Sequence, residues 1–190
     1  MKSLRILIYS MLFMSVAGSA VSKAQEPSVR LGIYDFVNNT ASEFYVLAPT
    51  VLFGCDVWKR SQMDLELSTG FSFNRIRYNS HYHYLYMIPL MATVYYDLPN
   101  PGTKVWPSFG FGAGLLWKAD QNSDYDKTLY SVAYGFHATG RLNFPLKSEH
   151  LLTIEMTYNL LLPPVTEEVN LSGVILTVGL RFPAKHSKKE

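Results

Sequence analysis

Hydrophobic and polar residues alternate with a period of two along much of the chain after residue 25, which is typical of β-strands whose two faces meet different surroundings. The longest alternating segment is 130–144. Its even positions are Tyr130, Val132, Tyr134, Phe136, Ala138, Gly140, Leu142 and Phe144. Segments 65–73, 84–96, 107–117, 152–162 and 174–182 alternate in the same way. No segment shows a convincing 3.6-residue period, so the pattern predicts an all-β chain.

The composition of the two faces indicates a wall that contacts lipid. The polar face carries Gly, Ser, Thr and few charges, as a crowded interior requires, whereas the apolar face is almost free of charge. A soluble sandwich or lipocalin shows the reverse, with large aliphatics inside and charges outside. In segment 84–96, Tyr84, Tyr86 and Tyr96 flank central aliphatics, as in a strand that crosses between two aromatic girdles. An ordinary core strand containing tyrosine is the alternative for any one segment.

The alternating segments and the turns between them predict eight strands. We place these strands at 28–37, 43–57, 62–75, 83–96, 105–118, 128–144, 150–162 and 169–182. Since no backbone polar group can stay unpaired in hydrocarbon, the strands must close on themselves. The predicted fold is an all-β, eight-stranded, antiparallel, up-and-down transmembrane β-barrel with a lumen filled by side chains.

The connections between the strands predict which end of the barrel faces outward. Short periplasmic turns are expected at 58–61, 97–104 and 145–149. The outer loops are expected at 38–42, 76–82, 119–127 and 163–168. Pro49 and Pro89 fall inside predicted strands and imply a bulge or a local break, because proline cannot donate to a β-ladder.

The N-terminal segment 1–24 reads as a cleaved signal peptide. Lys2 and Arg5 precede an apolar run at 6–17, and Ser22 and Ala24 supply small residues for a cleavage site. The run is shorter than the ~20 residues of a spanning helix, which disfavours a membrane anchor. Cleavage after Ala20 is an alternative. The domain organisation is therefore a signal peptide at 1–24, an outer-membrane barrel at 25–182 and a short basic tail at 183–190.

Composition narrows the possible functions. The 190 residues carry 17 basic and 15 acidic side chains, a net charge of +2, which excludes a nucleic-acid partner bound through a strongly basic face. Cys55 is the only cysteine, so an internal disulfide framework and a cysteine-based zinc site are excluded. Charged residues make up 17% of the chain, against about 25% in ordinary soluble proteins.

Three segments resemble a known family. Residues 86–90 contain Ile-Pro-Leu, residues 106–114 contain Pro-x-x-Gly-x-Gly-x-Gly, and residues 178–182 end in Phe182. Together they resemble the small outer-membrane β-barrels described as PorT-like, which are related in architecture to the OmpA and OmpX barrels, and the resemblance covers most of 28–182. It implies that Phe182 is the terminal signal read by the barrel-assembly machinery. The tail at 183–190 departs from the strict pattern, in which the aromatic residue ends the chain.

Five polar residues on the interior face are the candidate site. We expect a structural network inside the lumen, because unpaired charges there would be costly. Its members are Glu66, His137, Arg141, Glu155 and Arg181. The network predicts a closed pore, with a proton or ion path as the alternative.

The remaining candidate chemistry is weaker. His137 and Thr139 have a spacing that suggests a lipid A deacylase, but their parity points both side chains into the lumen. His81 and His83 form a His-x-His pair that lacks an apparent third metal ligand. We therefore expect no catalytic residue, cofactor or metal.

The functional prediction is a structural or interaction role in the outer membrane. The expected partners are outer-membrane lipids, the assembly machinery during biogenesis, and a protein or surface ligand at the outer loops. A lipid A-modifying enzyme and a soluble periplasmic lipocalin-like binder of an apolar ligand are the alternatives.

Overall fold

Each alternating segment of the sequence forms a strand. The computed structural model describes residues 26–37, 45, 47–78, 81–99, 104–122, 127–146, 150–162 and 170–182. The strands are β1 (Pro27–Phe36), β2 (Ala48–Arg60), β3 (Met63–Tyr78), β4 (His81–Asp97), β5 (Trp106–Asn122), β6 (Lys127–Pro145), β7 (Leu151–Leu162) and β8 (Gly173–Arg181). Within these ranges there is no helix long and apolar enough to cross a membrane.

The eight strands form one closed ladder. Every strand pairs antiparallel with the next in sequence, and β1 also pairs with β8 from Ser28↔Arg181 to Phe36↔Gly173. Every strand therefore has a partner on both sides and no strand edge is left open, which is the condition for crossing hydrocarbon. The predicted eight-stranded antiparallel up-and-down barrel is confirmed.

The apolar face of each strand lies on the outside of the barrel. The outward orientation predicted for Phe136, Ile154 and Leu176 is confirmed, with exposed fractions of 62%, 36% and 45%. On β4, Tyr86 and Tyr96 both face outward, ten residues apart. At ~3.3 Å per residue and a tilt of about 40°, this separation corresponds to a height of about 25 Å, the usual height of the apolar band of a membrane barrel.

The predicted bounds of the second strand are wrong at both ends. β2 begins at Ala48 rather than at residue 43 and continues to Arg60, so the turn expected at 58–61 is confined to residues 61–62. Ser61 occupies the left-handed region with φ of 55°, which suits a tight turn. A bulge between Asp56 and Trp58 inserts one extra residue into β2, so Asp56 and Trp58 pair with the consecutive residues Glu66 and Leu65 of β3.

Two of the predicted outer loops, 76–82 and 119–127, are also largely strand. β3 and β4 pair as far as Tyr78↔His81, and β5 and β6 pair as far as Asn122↔Lys127. Only residues 79–80 and 123–126 lie between these strands, instead of 76–82 and 119–127. A ladder that extends past the bilayer into water tolerates polar residues, so polarity marked the end of the membrane span rather than the end of the strand.

The last strand is shorter than predicted. β8 begins at Gly173, although the predicted strand starts at residue 169. Ser172 explains the difference, because its hydroxyl accepts from the Leu161 N–H at 2.9 Å and donates to Asn170 Oδ1 at 2.7 Å. The side chain thus supplies a partner for the Leu161 N–H in place of a further ladder pair.

The two internal prolines behave differently. The pairing of β3 with β4 is interrupted between Thr69↔Leu90 and Ser72↔Met87 and then resumes in the same register. Pro89 lies within this interruption, so the local break expected there is confirmed. Pro49 pairs in register with Ile33 and lies beyond the last β2–β3 pair, so the bulge or break expected at Pro49 is wrong.

Several predictions fall outside the described residues. The signal peptide at 1–24, the connections at 38–42 and 163–168, and the tail at 183–190 belong to this group.

A substitution at Phe111 tests whether the outer wall contacts lipid. Phe111 is 63% exposed and lies midway along β5 between Trp106 and Trp117. Replacing Phe111→Arg should destabilise the barrel in lipid vesicles by about 2–4 kcal/mol, because the guanidinium enters hydrocarbon. Urea titration, read by the gel mobility of unboiled samples, measures the loss. The control Phe111→Leu should cost far less. Equal stability of the Arg and Leu variants would show that this face meets water.

Candidate functional site in the barrel lumen

Four charged side chains form a closed ring across the lumen. Arg30 donates to Glu66 Oε1 and to Glu155 Oε1, both at 2.5 Å. Arg141 donates to Glu66 Oε2 at 2.7 Å and to Glu155 Oε2 at 2.6 Å. Each arginine thus bridges both glutamates, and we call these four residues the charge ring. The ring is neutral, and its side chains are at most 3% exposed.

The closed register brings the charge ring together from four strands. Arg30 lies on β1, Glu66 on β3, Arg141 on β6 and Glu155 on β7, so the ring spans the cross-section. Each residue occupies the inward parity of its strand, and Arg141 and Glu155 are direct neighbours in the ladder. Tyr95 of β4 completes the layer. Its hydroxyl donates to Glu155 Oε2 at 2.8 Å, and its ring lies 3.6 Å from the Arg141 guanidinium carbon.

Pairing of every carboxylate oxygen makes the burial of four charges possible. All four carboxylate oxygens of Glu66 and Glu155 accept at least one charge-assisted hydrogen bond. Such bonds offset the cost of removing ions from water only when every partner is present. The ring is therefore sensitive to the loss of a single member and tolerant of removing a matched pair.

A second charged layer lies below the ring, where β1 begins and β8 ends. Arg181 Nη2 donates to Glu66 Oε2 at 3.2 Å, and Arg181 Nη1 lies 3.3 Å from Asp56 Oδ2 and 3.4 Å from Asp64 Oδ2. Glu26 Oε2 is 3.6 Å from the same Nη1 atom. Arg181 thus connects the charge ring to a group of carboxylates at this end of the barrel.

His137 lies in the lumen but outside the charge ring. Its Nε2 atom is 2.8 Å from Thr93 Oγ1, whereas Thr139 accepts from Thr157 at 3.0 Å. His137 and Thr139 are both buried and point away from the outer wall. A cavity of about 20 Å³ touches His137, Asn159 and Tyr34, which is room for about one water molecule. Gly112 leaves room for the His137 ring, because a Cβ at this position would collide with His137 Nε2.

The half of the lumen farther from Arg181, which we call the outer half, is apolar. This finding corrects the expectation of a hydrophilic filling throughout. Leu85 and Met87 lie on the inward parity of β4 and are almost fully buried. The remaining members of this apolar layer are Tyr34, Phe36, Tyr45, Ala48, Leu52, Leu116, Ala133, Leu161, Leu171 and Ile175. The closed wall removes these side chains from both lipid and water, so they pack as an ordinary hydrophobic core.

Two residues from the connections cover the outer opening. Leu171 packs into the apolar layer, where its carbonyl accepts from the Tyr34 hydroxyl at 2.7 Å. Tyr45 stacks near Phe36, with ring centroids 5.6 Å apart, and donates to Asp120 Oδ2 at 3.0 Å. Burial and then the Asp120 charge raise the pKa of Tyr45 above its ordinary value, so the hydroxyl remains a donor at neutral pH.

Sequence reasoning missed several members of the lumen. Arg30, Tyr95, Asp56 and Asp64 are all buried there. The sequence did contain a signal for Arg30. Its neighbours Val29 and Leu31 belong to the apolar face of the first strand, so the alternation places Arg30 on the opposite, interior face. Asp56 gave no clear signal, because β2 has apolar residues on both faces, with Leu52 buried and Phe53 exposed.

Phe182 and the histidine pair lie away from the charge ring. Phe182 is at the rim where β1 begins and β8 ends, where its N–H donates to the Pro27 carbonyl at 2.8 Å and its ring meets His150 edge-on at 5.3 Å. His81 and His83 belong to β4 rather than to a loop. Within the described ranges, no group of three or more His, Cys, Asp or Glu side chains is arranged to hold a metal ion.

Comparison with known proteins places the barrel among outer-membrane structures. No protein-family model and no curated protein matches the chain. The Neisserial surface protein A structure matches with a TM-score of 0.60 and 12% identity over 83% of this chain and 94% of that chain. A major outer membrane protein from Thermus thermophilus matches with a TM-score of 0.57 and 13% identity over 83% of this chain and 98% of that chain.

A structure described as the outer membrane enzyme PagL matches with a TM-score of 0.47 and 12% identity over 83% of this chain and 99% of that chain. At these identities the likenesses establish the fold alone, that of a small outer-membrane β-barrel. The narrower resemblance to PorT-like proteins stays a prediction.

The charge ring generates a double-mutant test. Glu66→Gln should destabilise the barrel by about 3–5 kcal/mol, because it leaves buried guanidinium groups without compensation. Adding Arg30→Met should recover part of this loss, since the ring then retains the neutral Arg141–Glu155 pair. Urea unfolding in lipid vesicles measures both variants. A double variant as unstable as the sum of the two single variants would contradict the coupling.

Proposed function

We propose that this protein resides in the bacterial outer membrane, reaches it through the cleaved signal peptide at 1–24, and serves there as a structural or interaction barrel with a closed lumen. The single observation that carries the proposal is the charge ring, which fills the cross-section with paired side chains. The apolar layer above it adds a second barrier, because a dry hydrophobic constriction excludes water and ions.

The rest of the molecule is consistent with a function at its surface. The outer wall presents a lipid-compatible face, and β3 to β6 extend past the aromatic girdle toward the outside. The partners we propose are outer-membrane lipids, the assembly machinery acting through Phe182, and a ligand or protein at the outer ends of these strands. His137 bonds to Thr93 inside the lumen, which leaves it without access to a lipid substrate.

Conductance tests the closed lumen directly. The full-length mature protein, inserted into a planar lipid bilayer, should show no steady conductance, because two layers of side chains block the axis. The variant Arg30→Met with Glu66→Gln should also stay closed, since the apolar layer is unchanged. Steady ohmic conductance from the unsubstituted protein would overturn the proposal, and an altered lipid A mass spectrum on its expression would favour an enzyme.

A further inference from the structure

A row of aromatic rings follows the outward face of β3 and β4 toward the outer ends of these strands. Neighbouring rings lie 5.3–6.4 Å apart between centroids, and the members are Phe71, Phe73, Tyr82, Tyr84 and Tyr86. We call this set the aromatic row. Arg75 lies at its outer end, where the guanidinium carbon is 4.0 Å from the centroid of the Tyr82 ring and 5.7 Å from that of the Tyr84 ring.

Arg75 lies at the level of the lipid headgroups. It is exposed on the outward parity of β3 and pairs with Tyr84 of β4. Tyr84 is two residues beyond Tyr86, which at ~3.3 Å per residue and a tilt of about 40° places it about 5 Å outside the apolar band. Headgroups occupy about 5–7 Å on each side of the hydrocarbon. The guanidinium therefore meets headgroups rather than acyl chains.

Arg75 is held by aromatic rings rather than by a carboxylate. Within the described ranges, the cations that pair with carboxylates are Arg30, Lys59, Arg141 and Arg181, and Arg75 is not among them. The two tyrosine rings attract the guanidinium and restrict its side chain, which reduces the conformational freedom that a bound ligand would have to remove. The planar fork of N–H donors matches the oxygen atoms of a phosphate group.

We propose that Arg75, positioned by Tyr82 and Tyr84, binds the phosphate headgroup of a lipid in the outer leaflet. The proposal rests on the proposed residence in the outer membrane, and it names the lipid group and the residues that bind it. The acyl chains of the same lipid would lie along Phe71 and the lower rings of the aromatic row. The wall thus presents an apolar face followed by a cation, in the order in which acyl chains and phosphate follow one another in the lipid.

The wall around β1 has the opposite charge at its outer end. Asp35 is exposed on the outward face there, two residues after Ile33 and in register with Val174 of β8. A carboxylate at this position repels a phosphate group, since like charges close together are unfavourable. Binding of the headgroup is therefore expected on the side of the barrel formed by β3 and β4.

Binding of a phosphorylated lipid to the full mature chain in detergent micelles tests the proposal. The probe is lipid A with two phosphates, and the same lipid with both phosphates removed is its control. Native mass spectrometry measures the Kd of each lipid for the folded barrel. The unsubstituted protein should bind the phosphorylated form roughly fivefold more tightly than the control lipid. Arg75→Gln should weaken binding of the phosphorylated form about fivefold, as expected for the loss of one cation at a membrane surface.

An arginine at the other end of the wall provides the matched control. Arg60 is exposed and pairs with Met63, which is itself in register with Tyr96 of the inner girdle. Within the described ranges, cation–ring contacts are made by Arg75 and Arg141 rather than by Arg60. Arg60→Gln removes the same charge and should change the Kd by less than about twofold, as expected for a freely solvated side chain. The gel mobility of unboiled samples verifies that each variant is folded.

Three results would overturn the proposal. The first is the same Kd for Arg75→Gln and the unsubstituted protein, and the second is an equal loss of affinity in Arg60→Gln. The third is displacement of the lipid by inorganic phosphate, which would make free phosphate the ligand. Lipid binding in detergent does not depend on a closed lumen, so each of these results would leave the proposed function standing, whereas steady conductance would contradict the closed lumen alone.

Discussion

Complete pairing of backbone polar groups is the constraint on which the rest of this structure depends. In hydrocarbon a free strand edge would expose a row of unpaired N–H and C=O groups, so the eight strands close into one ladder through β1 and β8. Closure with a period-two pleat then determines which residues meet at the axis and which face the lipid. Residues as distant in sequence as Arg30 and Glu155 become ion-pair partners because of that geometry.

The side chains that fill the lumen form two layers of different chemistry. In the half next to the chain termini, charged and hydroxyl side chains pair with one another and form the charge ring and its Arg181 extension. In the outer half, aliphatic and aromatic side chains pack as they would in a soluble core. The boundary lies near His137, which lines the small cavity together with Asn159 and with members of the apolar layer such as Leu116. A lumen filled in this way supports a function at the barrel surface rather than one that uses transport along the axis.

The sequence predicted the wall better than the ends of the strands. Alternation through 130–144 was long enough to place Phe136 outside and Arg141 inside, and the same parity placed Glu66 and Glu155 in the lumen. It gave no parity for β2, where Leu52 points inward and Phe53 outward, so Asp56 was missed. It also failed at the outer loops expected at 76–82 and 119–127, because hydropathy records where the membrane ends and the ladder continues beyond that point. The pairing of Glu66 with Arg30 and Arg141 depends on barrel closure across non-adjacent strands, which no local pattern encodes.

The central claim is that the apolar face meets lipid and the polar face meets the axis. Spin labels placed one at a time along β6 from Val132 to Leu142, in lipid vesicles, test it most directly through their collision rates with oxygen and with a water-soluble nickel complex. We expect a strict alternation, with high oxygen accessibility at even positions such as Phe136 and low accessibility to both reagents at odd positions such as His137. Loss of the alternation, or higher oxygen accessibility at the odd positions, would contradict it.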